Sequence, residues 1–394
     1  MSPSLSCDVA VIGLGAMGSA ALYQLAKRGA RVVGIDRFSP PHTFGSSHGD
    51  TRITREAVGE GAAYAPLVRA SHRIWRELEG ETGEPLLVPS GTLVMASASA
   101  PNSHHGKPDF LRRTIEVAQA NALPHELLDA GEIRRRFPAF IGLRGDEQGY
   151  FEPGGGYVRP EAAIRTQIAE AVRLGGQVMT DTRVTSLAPD GPGMRIETDG
   201  GVLHAGQVVV AAGPWVHAFL GPALKPAFVV QRQVLHWLEI TQPELFPASS
   251  PVFIWMHGDG DEDYVYGFPP SASPGSIKVA TEQYTRTCDP ETVDRTISAA
   301  EVAAMHAHHI AGKLAGVAPR ATRSAVCLYT TSRDNGFLID RHPDMARVVL
   351  VSACSGHGFK HSAGIGEAVA RHLLEPETPL GPAFGAERLM APRG

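Results

Sequence analysis

The chain opens on an apolar run, residues 7–12, interrupted only by Asp8, which reads as a buried strand. Gly13-Leu14-Gly15-Ala16-Met17-Gly18 follows. Met17, Ala20, Ala21, Leu25 and Arg28 then recur at helical spacing with the apolar ones on one face, and Gly29 stands where helices commonly end. Residues 31–36 predict the next strand. A loop rich in Pro, Gly, Ser and His covers 38–50. Helical spacing returns over about 63–83 and 107–122, whereas 98–108, small and polar with Pro and Gly, predicts a surface loop. Residues 207–212 are a third strand-like run ending at Gly213-Pro214. Residues 226–285 alternate and carry Phe228, Trp237, Phe253, Trp255, Tyr264, Tyr266 and Phe268, the pattern of an antiparallel sheet. A buried strand over 346–353, a loop over 354–359 and a helix over about 363–374 close the pattern.

These elements predict a mixed α/β chain: a Rossmann-type nucleotide-binding domain and a second domain built on a mostly antiparallel sheet. The nucleotide-type segments are scattered, so that domain is expected to be discontinuous, over 1–88, 151–220 and 335–394, with 89–150 and 221–334 forming the second. A length of 394 residues suits two domains. No repeat of solenoid period is present.

Composition narrows the function classes. A net charge of −5 lacks the basic excess of nucleic-acid binders. Cys7, Cys288, Cys327 and Cys354 show neither CxxC pairs nor zinc spacing, so no disulfide framework and no metal are expected. The N-terminus runs at once into a strand, without a basic leader and apolar core, and no apolar stretch of about 18 residues exists to span a membrane. The expectation is a cytoplasmic protein with small-molecule partners.

Gly13-x-Gly15-x-x-Gly18 lies between a strand and a helix, where a dinucleotide fingerprint has physical meaning. Gly13 permits the turn, Gly15 lets backbone approach a pyrophosphate, and Gly18 lets helix and strand pack. The helix N-terminus offers free N–H groups to phosphate. Asp36 closes the second strand, where a carboxylate accepts from ribose hydroxyls and disfavours a 2′-phosphate despite the adjacent Arg37. The motif alone does not separate NAD from FAD.

Further motifs make that separation. They are Pro40-Pro41-His42, Ser47-His48-Gly49-Asp50-Thr51-Arg52 with Arg55, Tyr266-Gly267-Phe268-Pro269, Ala325-Val326-Cys327-Leu328-Tyr329-Thr330, Phe337-Leu338-Ile339-Asp340 and Ser355-Gly356-His357-Gly358-Phe359-Lys360. In this order the chain resembles, over nearly its whole length, the monomeric sarcosine oxidase and N-methyltryptophan oxidase family. The resemblance implies a two-domain flavoprotein that oxidises a secondary amino acid and reduces O2 to hydrogen peroxide. It implies FAD held covalently by a thioether between Cys327 and the flavin 8α-methyl. It also implies a monomer. The cofactor would be contacted by Gly13, Gly15, Gly18, Asp36, Arg37 and Val184, and further by Gly213, Gly356, His357 and Gly358.

Roles follow by the same resemblance. Cys327 must become a thiolate to attack the flavin, which needs nearby positive charge, for which Arg52 and His48 are the candidates. Arg55 and Lys360 match the pair that holds a substrate carboxylate. Two cations in one small pocket would repel without an anion, so an acidic substrate group is expected. Lys278 matches the lysine placed to stabilise charge developing on oxygen. Tyr266 and Tyr329 would line the substrate pocket. Each has a plain structural counterpart: a packed cysteine, surface cations, a solvated strand lysine, core aromatics. The family segment K-x-G-x-H here reads Lys278-Val279-Ala280-Thr281-Glu282, so Glu282 stands in place of a pocket histidine and leaves the substrate open. Candidates are sarcosine, a larger N-methyl amino acid, a cyclic imino acid or a glycated amino acid. An NAD-dependent dehydrogenase and a non-catalytic flavin-binding regulator are the competing classes. The first gives no role to Cys327, and the second needs no convergence of Arg55, Lys360 and Lys278.

Overall fold

A computed structural model describes residues 5–260, 262–375 and 377–390. One sheet runs, in spatial order, Gln177–Met179, Val32–Ile35, Leu5–Ile12, Gly201–Val210, Gly193–Thr198, Val184–Asp190, with Met345–Ser352 also pairing with the far end of Gly201–Val210 and Leu338–His342 beyond it. Its central pairings are parallel, Val9–Ile12 against Val32–Ile35 on one side and Gln207–Val210 on the other. A parallel sheet must be covered on both faces. That is why Val9, Val11 and Val209 pack into one apolar core while Ala10, Ile12, Val208 and Val210 enter another on the opposite face.

The helix Ala16–Lys27 packs on this sheet beneath the helices Pro160–Arg173 and Ser362–Leu374. It lies so deep that Gly18 to Ala26 are all buried. A Cβ on Gly18 would sit 1.7 Å from the carbonyl oxygen of Gly13, so only glycine lets this helix leave the strand so tightly.

The second sheet has the order Val317–Ser332, Phe228–Ile240, Ser276–Ala280, Tyr264–Phe268, Val252–Met256, Thr92–Ser97, Glu147–Glu152, Glu126–Asp129. It is antiparallel except for the parallel pair of Val252–Met256 with Thr92–Ser97. Strand Glu147–Glu152 therefore runs across position 150/151, where the sequence placed a boundary. Register places Cys327 opposite Gln233 and Lys278 opposite both Trp237 and Phe268. A short sheet, Arg52–Thr54 with Gly156–Val158 and Leu87–Val88, supplies Arg52.

Two local readings change. The helix expected over 107–122 spans Phe110–Ala120. The stretch 98–108 is not wholly surface loop. Ser103–His104 and Lys107–Pro108 form a tight hairpin whose turn, His105-Gly106, has positive φ at both positions (52° and 67°), as a two-residue type I′ turn requires. This turn carries His104 and His105 into the interior, where both are buried.

Candidate active site

One cavity of about 860 Å³ extends from Gly13 and Asp36 past Cys327 to Arg55 and Lys360. At one end, Gly13 takes φ 87° and the carboxylate of Asp36 accepts the N–H of Leu14 at 2.7 Å and of Phe38 at 2.8 Å. A carboxylate has about four lone-pair sites, so acceptor capacity remains for ribose hydroxyls. Gly15, Val184, Gly213, Gly356, His357 and Gly358 line the same cavity. Arg37 lines it too, but its guanidinium is engaged by Glu291 at 2.5 and 3.0 Å and stacks on Phe38 and Trp215. A glycine cradle, a helix N-terminus and a ribose-side carboxylate in one long cavity fit a dinucleotide.

Farther along, Cys327 is buried, with its Sγ 3.5 Å from Arg52 Nη2 and 3.5 Å from the carbonyl oxygen of Ser46. Arg52 is held in place by donating also to the carbonyls of Thr51 and Ser46, each at 2.9 Å. Of the two groups considered for this thiol, Arg52 is the one placed against it. Burial, together with Arg52 and Lys278, pushes His48 down to about 3, so its imidazole is neutral, and it does not line the cavity.

Lys278 is fully buried rather than a solvated strand lysine, and like His48 it lies behind the cavity lining. It donates to the carbonyls of Gly49 (2.5 Å) and Thr51 (2.8 Å) and to Thr51 Oγ1 (3.1 Å), beneath the ring of Phe268. Burial and then Arg52 act against its charge, whereas three acceptors favour the ammonium, which alone has a hydrogen for each.

The substrate end departs most from expectation. Arg55 and Lys360 do converge, both almost fully buried, but a buried carboxylate already stands between them: Glu60 lies 3.3 Å from Arg55 Nη2 and 2.9 Å from Lys360 Nζ. Contrary to expectation, these two cations do not by themselves demand an acidic substrate, because the chain supplies its own anion. Burial opposes ionisation of Glu60, but Lys360 and Arg55 hold its carboxyl well below the usual range. Burial pushes Lys360 down to about 8 despite Glu60. The sequence carried one signal for Glu60, a lone carboxylate in the small apolar run 57–63.

Glu282 also lines the cavity and does not point away. It accepts from Tyr329 OH at 3.1 Å and from Tyr284 OH. His105 hydrogen-bonds it through Nε2 at 3.2 Å while its Nδ1 lies 3.3 Å from Glu60. Burial alone would lower His105; Glu282 and Glu60 more than offset it, so this imidazole favours its charged form. A Cβ on Gly356 would come within 2.9 Å of Glu282 and 3.1 Å of His105, so glycine there leaves them room. Tyr266 and Tyr329 both line the cavity, and burial raises both hydroxyls, so they stay protonated. His104, His105 and Glu282 bring ligating atoms within 4.8 Å of one another, but both nitrogens of His105 already face carboxylates.

The fold and cavity define a dinucleotide-binding protein of the Rossmann type. The FAD dependent oxidoreductase (DAO) family matches residues 8–372, and the chain belongs to it. Among curated relatives, a monomeric sarcosine oxidase of Streptomyces avermitilis is 38% identical over 99% of both chains. An N-methyl-L-tryptophan oxidase of Yersinia pestis is 32% identical over 95% of this chain and 96% of the other. Among solved structures, the open form of NikD, described as an unusual amino acid oxidase essential for nikkomycin biosynthesis, shares the fold with a TM-score of 0.83 at 23% identity, covering 97% of this chain and 98% of the other. Among the described residues, no helix is long and apolar enough to cross a membrane.

Proposed function

We propose that this chain is an oxidase of a secondary amino acid, an N-methyl amino acid such as sarcosine or N-methyltryptophan, with its FAD attached covalently at Cys327 and O2 as acceptor. The observation that carries the reading is one cavity joining the Arg52–Cys327 contact, 3.5 Å, to the buried Arg55–Lys360 pair. Bound FAD supplies the two-electron redox step. The chain's own residues do the rest. Arg52 stabilises the Cys327 thiolate and, later, negative charge at the cofactor. Arg55 and Lys360 seat the substrate carboxylate, the first as a planar fork and the second as a point charge. Tyr266 and Tyr329 line the pocket around the amine. Lys278, fixed by the 49–51 loop, stabilises charge developing on oxygen. The imine formed from the substrate hydrolyses in water to formaldehyde and a primary amino acid. The enzyme acts as a monomer.

The test is a peroxide-coupled screen of the FAD-loaded protein against N-methyl amino acids, with formaldehyde measured in parallel. Equal amounts of peroxide and formaldehyde from at least one N-methyl amino acid are expected. Peroxide from none of them would overturn the reading.

A further inference from the structure

Amine oxidation needs the nitrogen lone pair, yet a secondary amino acid arrives as a zwitterion whose ammonium has a pKa of about 10, like a lysine side chain. Its proton must go somewhere. Tyr264, Tyr266, Tyr284 and Tyr329, which face Glu282, all have raised hydroxyls and stay protonated. His104, on the same side, is held neutral by burial and by His105. Around Glu60 stand Arg55, Lys360, His105, His357 and Tyr64. His357 is neutral, its Nε2 donating to the carbonyl of Asn335 at 3.1 Å. The acceptors left are Glu282 and the His105–Glu60 pair behind it.

Resting on the substrate reading above, we propose that Glu282, His105 and Glu60 form a buried proton relay that discharges the substrate ammonium and, in the same event, frees Arg55 and Lys360 for its carboxylate. The geometry is continuous: Glu282 to His105 Nε2 at 3.2 Å, His105 Nδ1 to Glu60 Oε1 at 3.3 Å, and the same Glu60 oxygen to Lys360 Nζ at 2.9 Å. The Nδ1 contact is an ion pair and not an aligned hydrogen bond; such contacts commonly tighten only in the substrate complex. The protons balance as follows. The N–H bond of the ammonium breaks and an O–H bond forms on Glu282, whose carboxyl, despite burial, His105 holds below the usual range until it gives up its own charge. Once the substrate carboxylate takes over Arg55 and Lys360, the cations that against burial hold the Glu60 carboxyl low, the Nδ1–H bond of His105 breaks and an O–H bond forms on Glu60. His105 ends neutral, still donating through Nε2. Beforehand three cations (Arg55, Lys360, His105) face two anions (Glu60, Glu282). Afterwards the two cations Arg55 and Lys360 face only the substrate carboxylate. The total charge is unchanged, and the number of buried protein charges falls from five to two, which lowers the desolvation cost of the complex.

This places a specificity device at the position where the family segment carries histidine. It selects zwitterions, because a plain carboxylate brings no proton to the triad: His105 can neutralise Glu60, but Glu282 then stays ionised beside a neutral imidazole unless solvent supplies a proton. Two experiments on the FAD-loaded enzyme test it. In anaerobic stopped flow with sarcosine, the limiting rate of flavin bleaching in the wild type should stay nearly level from pH 6 to 9. In Glu282→Gln it should rise about tenfold per pH unit, following the neutral amine, and approach the wild type near pH 10. His105→Asn, which keeps a hydrogen-bond donor, should show the same slope and serves if Glu282→Gln fails to fold. A loss of rate equal at all pH values, or an unchanged profile, would overturn the relay while leaving the substrate reading intact. Failure of every N-methyl amino acid to bleach the wild type would remove both. In calorimetry in buffers of different ionisation enthalpy, acetate binding should take up about one proton in the wild type and none in Glu60→Gln. Acetate binding to the wild type without proton uptake would contradict the coupling.

Discussion

Cys327 and Arg52 lie 275 residues apart in the chain and meet at 3.5 Å only because strand Val317–Ser332 and the short sheet containing Arg52 face one cavity. Cys327→Ser is expected to leave a folded protein whose yellow colour washes into the supernatant on acid precipitation, whereas the wild-type colour stays in the pellet. Wild-type colour in the supernatant would refute the covalent link. Lys360 sets a pH limb. It is charged below about 8 and loses its proton as pH rises through that value, so kcat/KM for the amino acid should fall above pH 8. Lys360→Arg, always charged, should move that limb upward. The sign for stability is opposite. The unfolded chain holds this proton more tightly than the folded one between about 8 and the ordinary lysine value of about 10.4, so Lys360 alone makes the fold more stable as pH rises through that window.

At the scale of elements, the strand–turn–helix at the N-terminus and the hairpin at 103–108 do different work. The first is a rigid cradle. Gly18→Ala would force a Cβ to 1.7 Å from the Gly13 carbonyl, and the expected product is a protein purified without flavin, checked by its absorbance spectrum; full yellow occupancy would show that the turn relaxes. The second is a side-chain carrier. Its left-handed residue His105, at φ 52°, is a conformation that costs about 1–2 kcal/mol for most residues. It persists because the turn delivers an imidazole between two carboxylates, and such outliers gather at functional sites. The hairpin escaped the sequence reading for a physical reason: its residues are small and polar, and their burial comes from partners far along the chain, Glu282 lying 177 positions away.

For the molecule as a whole, what was legible in the sequence is what depends on neighbouring positions. The parallel core with its glycine turn, the strand and helix near the C-terminus, and the aromatic antiparallel stretch all follow from local periodicity. Cys327, Arg55, Lys360 and Lys278 were legible through motifs, and the fold buries all four. What was not legible is charge state and pairing. His48 looked like a cation and is neutral because it is buried beside Arg52 and Lys278. Glu60 passed unnoticed because, although Arg55 is five residues away, the second cation and the histidine that make it a buried hub, Lys360 and His105, come from distant parts of the chain. The proposed enzyme has its flavin fixed at Cys327 and a carboxylate seat at Arg55 and Lys360, and the most direct test removes only the carboxylate. Under anaerobic conditions, sarcosine should bleach the flavin absorbance of the wild-type enzyme, and dimethylamine, the same amine without its carboxylate, should leave it unchanged at equal concentration. Bleaching by both at similar rates, or by dimethylamine alone, would contradict that assignment.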